Sequence, residues 1–237
     1  GGHIVPMNVS NVSIKSERLR FKLEKFKSEY GTIDNEMVVT VRFVFDSPEA
    51  GERYIGFITP EGGNEAWDER DHFKDFKTSV NGQSVSTKAY RLTDFAPKDV
   101  KQLEEVKKYF KEYDEEKILK EYEYYKKSYV YYFKANFKKG ENVVEHSYHY
   151  DGSSGVGTVD FNYVWSTISK WKNQKVDDFE VIVEPGDALI AMPVVKTKDG
   201  KEIKWQLAGE GNIDYAYKEN YETNEPYKIL YAKLKKG

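Results

Sequence analysis

Two histidines beside a glycine-rich stretch are the residues of this chain whose types most suggest chemistry. His146 and His149 lie three positions apart in "EHSYHYDGSSGVGTV" (145–159). On a helix this spacing lets two imidazoles share a face, whereas on a strand an odd separation places them on opposite faces. The flanking tyrosines and valines are typical of a strand. We therefore expect one imidazole on each face and predict no metal site.

The glycines of the same stretch invite comparison with phosphate-binding loops. Gly152 and Gly157 have the spacing of a Walker A loop, but Thr158 stands where that loop requires lysine. A dinucleotide-binding fingerprint starting at Gly155 would need a third glycine where the chain has Asp160. We predict no nucleotide site and no cofactor here, and expect a loop between strands in which glycine supplies positive φ angles.

No catalytic set can be assembled from the remaining motifs. The chain has no cysteine, which excludes disulfides, cysteine-based zinc sites and a thiol nucleophile. It also lacks a G-x-S-x-G nucleophile elbow. The acidic "WDERD" (67–71) could bind a cation or a sugar, although a solvated loop is the more ordinary interpretation. With 40 acidic residues, a carboxylate pair for glycoside hydrolysis stays open as an alternative, without named catalytic residues.

Aromatic residues make up 15% of the chain and offer a second kind of site. Exposed rings could stack on sugars, whereas buried rings would supply the core of a chain with few aliphatic residues. The four tryptophans are Trp67, Trp165, Trp171 and Trp205. Trp171 lies between polar residues in "SKWKN", so we expect it to be the exposed one.

Charge and hydropathy limit the partners. The 37 basic and 40 acidic residues give a net charge of −3, so no basic field predicts nucleic-acid binding. No apolar run has the length of about 18 residues that a membrane-spanning helix needs. The start "GGHIVPM" lacks the apolar region of a signal peptide. We expect its glycines to be non-native and a signal segment to have been removed.

The elements that must position these residues are predicted from periodicity. "ERLRFKLEKF" (17–26) and "EMVVTVRFVFDSP" (36–48) alternate as half-buried strands do, with Val39, Val41, Phe43 and Phe45 on one face. Asn81-Gly82 predicts a hairpin turn. Further strands are expected on either side of a hairpin turn at 138–141, around Pro185-Gly186 and "KDGK" (198–201), and in the tail.

Residues 97–128 have a different pattern, because apolar residues step by three or four from Val100 to Tyr113 and predict a helix. The predicted fold is mainly β (α+β), an antiparallel β-sandwich-like architecture with a helical insertion. Its parts are an N-terminal β half at 10–95, the helical insertion at 97–128 and a C-terminal β half at 129–237, which we expect to form one unit.

The segment 137–171 resembles an uncharacterised family, a domain of unknown function, of bacterial secreted or periplasmic mainly-β proteins. In that family a strand with the pattern V-x-H-x-Y is followed by a glycine-rich loop and an aromatic segment Y-x-x-x-T…W. The matching positions here are Val144, His146, Tyr148, Tyr163, Thr167 and Trp171. The resemblance implies an extracytoplasmic β protein and no particular activity.

The resemblance favours His146 and Tyr148 over His149. Together with Tyr163, Trp165 and Trp171 they are the predicted ligand-binding residues. We predict a non-catalytic binding or interaction module of the bacterial envelope, whose partner is a protein or a glycan. The alternatives are a carboxylate-dependent hydrolase and a structural component of an envelope assembly.

Overall fold

A computed structural model describes residues 3–6, 11–28, 30–58, 73–91, 129–155, 158–161, 171–197, 199–220 and 223–235. Every regular element in these ranges is a strand, which confirms the prediction of a mainly β protein for this part of the chain. None of it therefore forms a helix with the length and hydropathy of a membrane span. The helix predicted at 97–128 lies outside the described residues.

The chain forms two compact units, one of Gly1–Phe21 with Lys25–Ile182 and one of Lys22–Glu24 with Val183–Gly237. The strands lying wholly or mainly in the first unit are β1 (His3–Pro6), β2 (Ser13–Lys27), β3 (Ile33–Ser47), β4 (Gly51–Ile58), β5 (Lys74–Val80), β6 (Gln83–Val85), β7 (Thr87–Arg91), β8 (Tyr129–Phe137), β9 (Gly140–Asp151), β10 (Ser153–Gly155), β11 (Thr158–Asp160) and β12 (Asp178–Glu184). They build a six-stranded sheet in the order β12-β2-β3-β9-β5-β6, a four-stranded sheet in the order β1-β4-β8-β7, and the small β10-β11 ribbon.

Each of the two larger sheets contains one long antiparallel pairing, and the chain passes from one sheet to the other at residues 48–50 and again at 138–139. β3 pairs with β9 as far as Ser47↔Gly140, and β4 pairs with β8 from Gly51↔Phe137 onward. The predicted turn at 138–141 is present, but the prediction that it closes a hairpin is wrong, because β8 and β9 belong to different sheets. β9 pairs instead with β3, in a register that places the buried side chains of both strands on the same face of the sheet, as in Val39↔Tyr148 and Phe43↔Val144.

The core of the first unit lies where side chains of the two sheets meet. Val39, Val41, Phe43 and Phe45 are all buried, which confirms the predicted inner face of β3. From the other sheet, Phe57 lies 5.6 Å from Tyr148 of β9, measured between ring centroids. Each aromatic ring buried in this way stabilises the fold by about 1.5–3 kcal/mol relative to an exposed ring.

The Asn81-Gly82 turn closes the β5–β6 hairpin, as predicted. Val80 pairs with Gln83, and the two turn residues have φ angles of 50° and 80°. Positive φ at both central positions defines the type I′ turn that Asn-Gly favours.

The second unit contains a three-stranded sheet and a short ribbon. The sheet has the order β13 (Ile190–Pro193), β17 (Pro226–Leu234) and β16 (Gly211–Glu219). The ribbon pairs β14 (Val195–Lys196) with β15 (Glu202–Ile203) around Gly200, whose φ of 84° fits the predicted "KDGK" turn. The alternating tail forms β17, as predicted.

Candidate functional site

His146, one of the predicted binding residues, is buried between the two sheets of the first unit. Its Nδ1 lies 2.9 Å from the Thr78 hydroxyl, and its Nε2 has no hydrogen-bond partner among the described residues. The rings of Phe57 and Phe133 lie 5.0 and 5.4 Å from the imidazole. Burial lowers the pKa of His146 to about 3, so the ring is neutral near pH 7. This environment suits a structural residue.

Trp171 is also buried, and the prediction that it is exposed is wrong. The side chain is only 3% exposed, and its ring lies 4.6 Å from that of Phe45. The backbone N–H of Lys172 donates to the Val12 carbonyl, which fixes this segment beside β2. The polar neighbour Lys172 is exposed while the indole points inward. Flanking polarity therefore misled the sequence interpretation. Tyr163 and Trp165 lie outside the described residues, and Tyr148 is buried.

His149 lies on the opposite face of β9 from His146, as predicted from the odd spacing. Its Nδ1 contacts the carboxylate of Glu36, and its Nε2 lies 2.9 Å from Asp75 Oδ2. The Phe26 ring stacks on the imidazole at 4.5 Å with an interplanar angle of 4°. Each nitrogen of the imidazole therefore lies against a carboxylate from a different strand.

A lysine completes this group, which we call the His149 cluster (Phe26, Glu36, Lys74, Asp75, His149 and Asp151). The Lys74 Nζ lies 2.5 Å from Glu36 Oε1 and 3.0 Å from Asp151 Oδ2. Burial alone lowers the pKa of Lys74, but hydrogen bonds to both carboxylates outweigh that effect and raise the pKa. The hydrogen bond from His149, and then its charge, lower the pKa of Asp75.

An irregularity in β5 brings two neighbouring residues to the cluster. Successive side chains of a regular strand point to opposite faces. The pairing of β5 with β9 shifts register between Lys74 and Lys77, and Asp75 has a φ of 52°. Both Lys74 and Asp75 therefore reach the same side of the sheet. No sequence signal marks this shift, and sequence reasoning missed the cluster.

The His149 cluster is satisfied by its own members. Both imidazole nitrogens and both oxygens of Glu36 are already hydrogen-bonded within it. The described residues contain no group of three or more His, Asp or Glu side chains arranged to hold a metal ion. We interpret the cluster as an ionic connection between β3, β5 and β9.

The second unit presents a different surface, formed by tyrosines. Tyr215 and Tyr217 are 42% and 72% exposed and lie two residues apart on β16. Side chains two apart on a strand share a face and are separated by roughly 7 Å. The sequence signal is the alternation in "DYAYK", and the predicted binding residues include none of this segment.

Two charged residues border these rings. Lys228 pairs directly with Tyr217 across β16 and β17, and its Nζ lies 4.0 Å from the centre of the Tyr215 ring. The same Nζ lies 3.5 Å from Glu202 Oε2. We call Tyr215, Tyr217, Lys228 and Glu202 the tyrosine face. It combines flat apolar rings with an ammonium group and a carboxylate.

Comparison with known proteins gives a likeness of fold. No known protein family matches the chain, and no curated protein is significantly similar to it. Among solved structures, a Legionella pneumophila protein named a "putative nutrient binding protein" is similar, with 13% sequence identity and a TM-score of 0.57. The match covers 97% of this chain and 71% of that chain. At this identity the likeness concerns the fold alone.

Proposed function

We propose that the protein is a non-catalytic binding protein of the bacterial envelope, located outside the cytoplasm, whose ligand docks on the tyrosine face. The observation that carries this proposal is the exposure of two tyrosines from one face of β16. Aromatic rings held on a strand offer contact area at a small entropic cost, because each side chain has few rotatable bonds.

The chemistry of the tyrosine face favours a glycan over an apolar ligand. The C–H face of a pyranose ring stacks on a tyrosine ring, and its hydroxyls both donate and accept hydrogen bonds. Lys228 can supply donors and Glu202 can supply acceptors. Tyr217 offers the larger open ring, because the ammonium of Lys228 already lies over Tyr215.

Two further considerations support the proposal. The similar Legionella protein carries the name of a binding protein, which accords with a binding role. The short motifs of residues 137–171 that are similar to those of a secreted or periplasmic family, although they do not extend to a family match, support the proposed extracytoplasmic location. Fractionation of the source bacterium followed by immunodetection tests the location, and recovery in the cytosol alone would contradict it.

The binding proposal is tested by screening the whole chain on an array of bacterial and plant glycans, followed by calorimetry on any hit. We expect Tyr217→Ala to weaken binding by about fivefold or more, by comparison with the stacking of nucleic-acid bases on aromatic side chains, which contributes about 1–3 kcal/mol. The matched control is Tyr227→Ala. Tyr227 is 45% exposed but pairs with Lys218, which places it on the other face of the same sheet. Equal losses in both variants, or no hit on the array, would overturn the glycan proposal.

One observation favours a structural component as the second candidate. Among the described strands, β16 pairs with β17 alone, which leaves a nine-residue strand at the edge of its sheet. Such an edge can pair with a strand of another chain. Concentration-dependent self-association in sedimentation experiments, combined with no glycan binding, would favour this candidate.

A further inference from the structure

Asn81 and Gly82 form the dipeptide most prone to spontaneous loss of a side-chain amide, because glycine leaves the following backbone nitrogen unshielded. Both residues are exposed at the tip of the β5–β6 hairpin. Solvent accessibility alone would therefore permit deamidation at this turn.

The side chain of Asn81 is nevertheless held at both of its polar atoms. Its Oδ1 accepts a hydrogen bond of 2.9 Å from the backbone N–H of Val143, and its Nδ2 donates one of 3.0 Å to Asn142 Oδ1. The backbone N–H of Asn81 also donates to the Val143 carbonyl at 2.8 Å. The turn is thus attached to the start of β9.

Asn142 is a fixed partner because its own hydrogen bonds are saturated. The residue is fully buried. Its Nδ2 donates to the carbonyls of Lys138 and Gly140 at 2.8 and 3.0 Å, and its Oδ1 accepts from the Lys138 N–H at 2.9 Å. These bonds determine which end of the amide faces Asn81, so Asn142 joins the β8–β9 turn to the β5–β6 turn.

We infer that Asn81 is a protected deamidation site, that Asn142 is the residue that keeps it protected, and that reaction at Asn81 would separate the two turns. In the reaction, the backbone nitrogen of Gly82 loses its proton to solvent and attacks Cγ of Asn81. The bond from Cγ to Nδ2 breaks, the leaving nitrogen takes a proton from solvent and departs as ammonia, and a succinimide forms. Water then opens the ring at either carbonyl to give aspartate or isoaspartate.

Protection follows from the geometry of the attack. For Cγ to approach the nitrogen of Gly82, the side chain must rotate away from Val143 and Asn142, and both hydrogen bonds break. The aspartate product can still accept from the Val143 N–H, but it cannot restore the bond to Asn142, because an ionised carboxylate has no donor for Asn142 Oδ1. Two acceptor oxygens would then face each other, which separates the two turns.

The test is a time course of deamidation in mildly alkaline buffer, followed by intact mass and peptide mapping. We expect Asn81 of the folded wild-type chain to react at least about tenfold more slowly than in urea, since each lost hydrogen bond costs about 1 kcal/mol. Folded Asn142→Ala, which removes one of these two bonds, is expected to react about fivefold faster than folded wild type, and both chains should react at the same rate in urea.

The wild-type comparison alone can overturn the inference, whether or not Asn142→Ala folds. Equal rates in buffer and in urea would show that the folded turn gives no protection. If Asn142→Ala folds and reacts as slowly as wild type, Asn142 is not the protecting residue. A separate readout is the melting temperature, which we expect Asn81→Asp to lower more than Asn81→Gly. Glycine also fits the positive φ but brings no second acceptor oxygen. The opposite order would contradict the predicted separation of the turns.

Discussion

The two histidines of β9 differ in almost every respect except their residue type. His146 lies among phenylalanine rings with a single hydroxyl partner, and burial lowers its pKa. His149, three residues further on, lies between two carboxylates and beneath a phenylalanine ring. The apolar environment of His146 favours the neutral imidazole, whereas the imidazole of His149 has a carboxylate at each of its two nitrogens.

This contrast assigns different roles to the two faces of the six-stranded sheet. The inner face stabilises the protein by removing aromatic surface from water, and its one imidazole is tolerated in the uncharged form. The outer face fixes the position of β5 through hydrogen bonds between charged groups. Mutations on the two faces should therefore differ both in size and in pH dependence.

The largest difference in unfolding free energy is expected between mutations of two adjacent β9 residues whose side chains lie on opposite faces of the sheet. Tyr148→Ala removes a ring that is buried and lies 4.0 Å from Phe73, and it should cost about 3–5 kcal/mol of unfolding free energy. Ser147→Ala on the outer face should change that free energy by about 0.5 kcal/mol or less. Urea denaturation measures both. Similar losses would mean that the inner face is not the main source of stability.

The next largest effect concerns pH, because the titration of His146 should make the folded protein less stable in acid. Its pKa falls from 6.5 in the unfolded chain to about 3 in the folded one, so the unfolded chain binds more protons between these values. Stability is therefore lost as the pH falls from 6.5 towards 3, by about 1.4 kcal/mol per pH unit. His146→Phe, which cannot titrate, should show a flatter acid limb in denaturation curves recorded across this range.

The titration of a second buried group, the carboxyl of Glu17, changes stability in the opposite direction over part of the same pH range. Burial raises the pKa of Glu17 on β2 from 4.5 to about 7, so its contribution is complete below pH 4.5 and is lost as the pH rises towards 7. The two slopes have opposite signs between pH 4.5 and 6.5, and wild-type stability should be nearly constant there. Glu17→Gln should expose the His146 slope across that window. An unchanged profile in this variant would contradict the opposition of the two groups.

Alternation along strands could be predicted from sequence, because it depends on local spacing alone. The inner face of β3, the opposite orientation of His146 and His149, and the Asn-Gly turn all follow from that local chemistry. Strand pairing could not be predicted in the same way. The turn at 138–141 indicated a hairpin, yet β9 pairs with β3, about one hundred residues earlier in the chain. Nothing local to the turn specifies that choice.

The candidate sites also depend on which strands pair with each other, and local sequence does not show this. Local spacing predicts no site at His149, because one imidazole on a face has no partner in its own strand. Its partners come from β3 and from the irregular part of β5. Trp171 was expected on the surface because its sequence neighbours are polar, but contact with Phe45 buries it. The tyrosines of β16 were detectable as an alternating pair, although their exposure depends on the sheet around them.

The smallest predicted effect tests whether the His149 cluster needs buried Glu36 in order to stabilise the sheet. Glu36→Gln keeps the size of the side chain but removes the charge that Lys74 and His149 share. We expect a loss of about 1–3 kcal/mol in urea denaturation, because hydrogen bonds to charged groups contribute about that much. The matched control is Asp75→Asn, which changes the exposed carboxylate on the other imidazole nitrogen. Solvent screens that exposed group, so its loss should be smaller and should shrink further in high salt. If Asp75→Asn were the more damaging variant, the bulge in β5, and not buried Glu36, would be the part of the His149 cluster that stabilises the sheet.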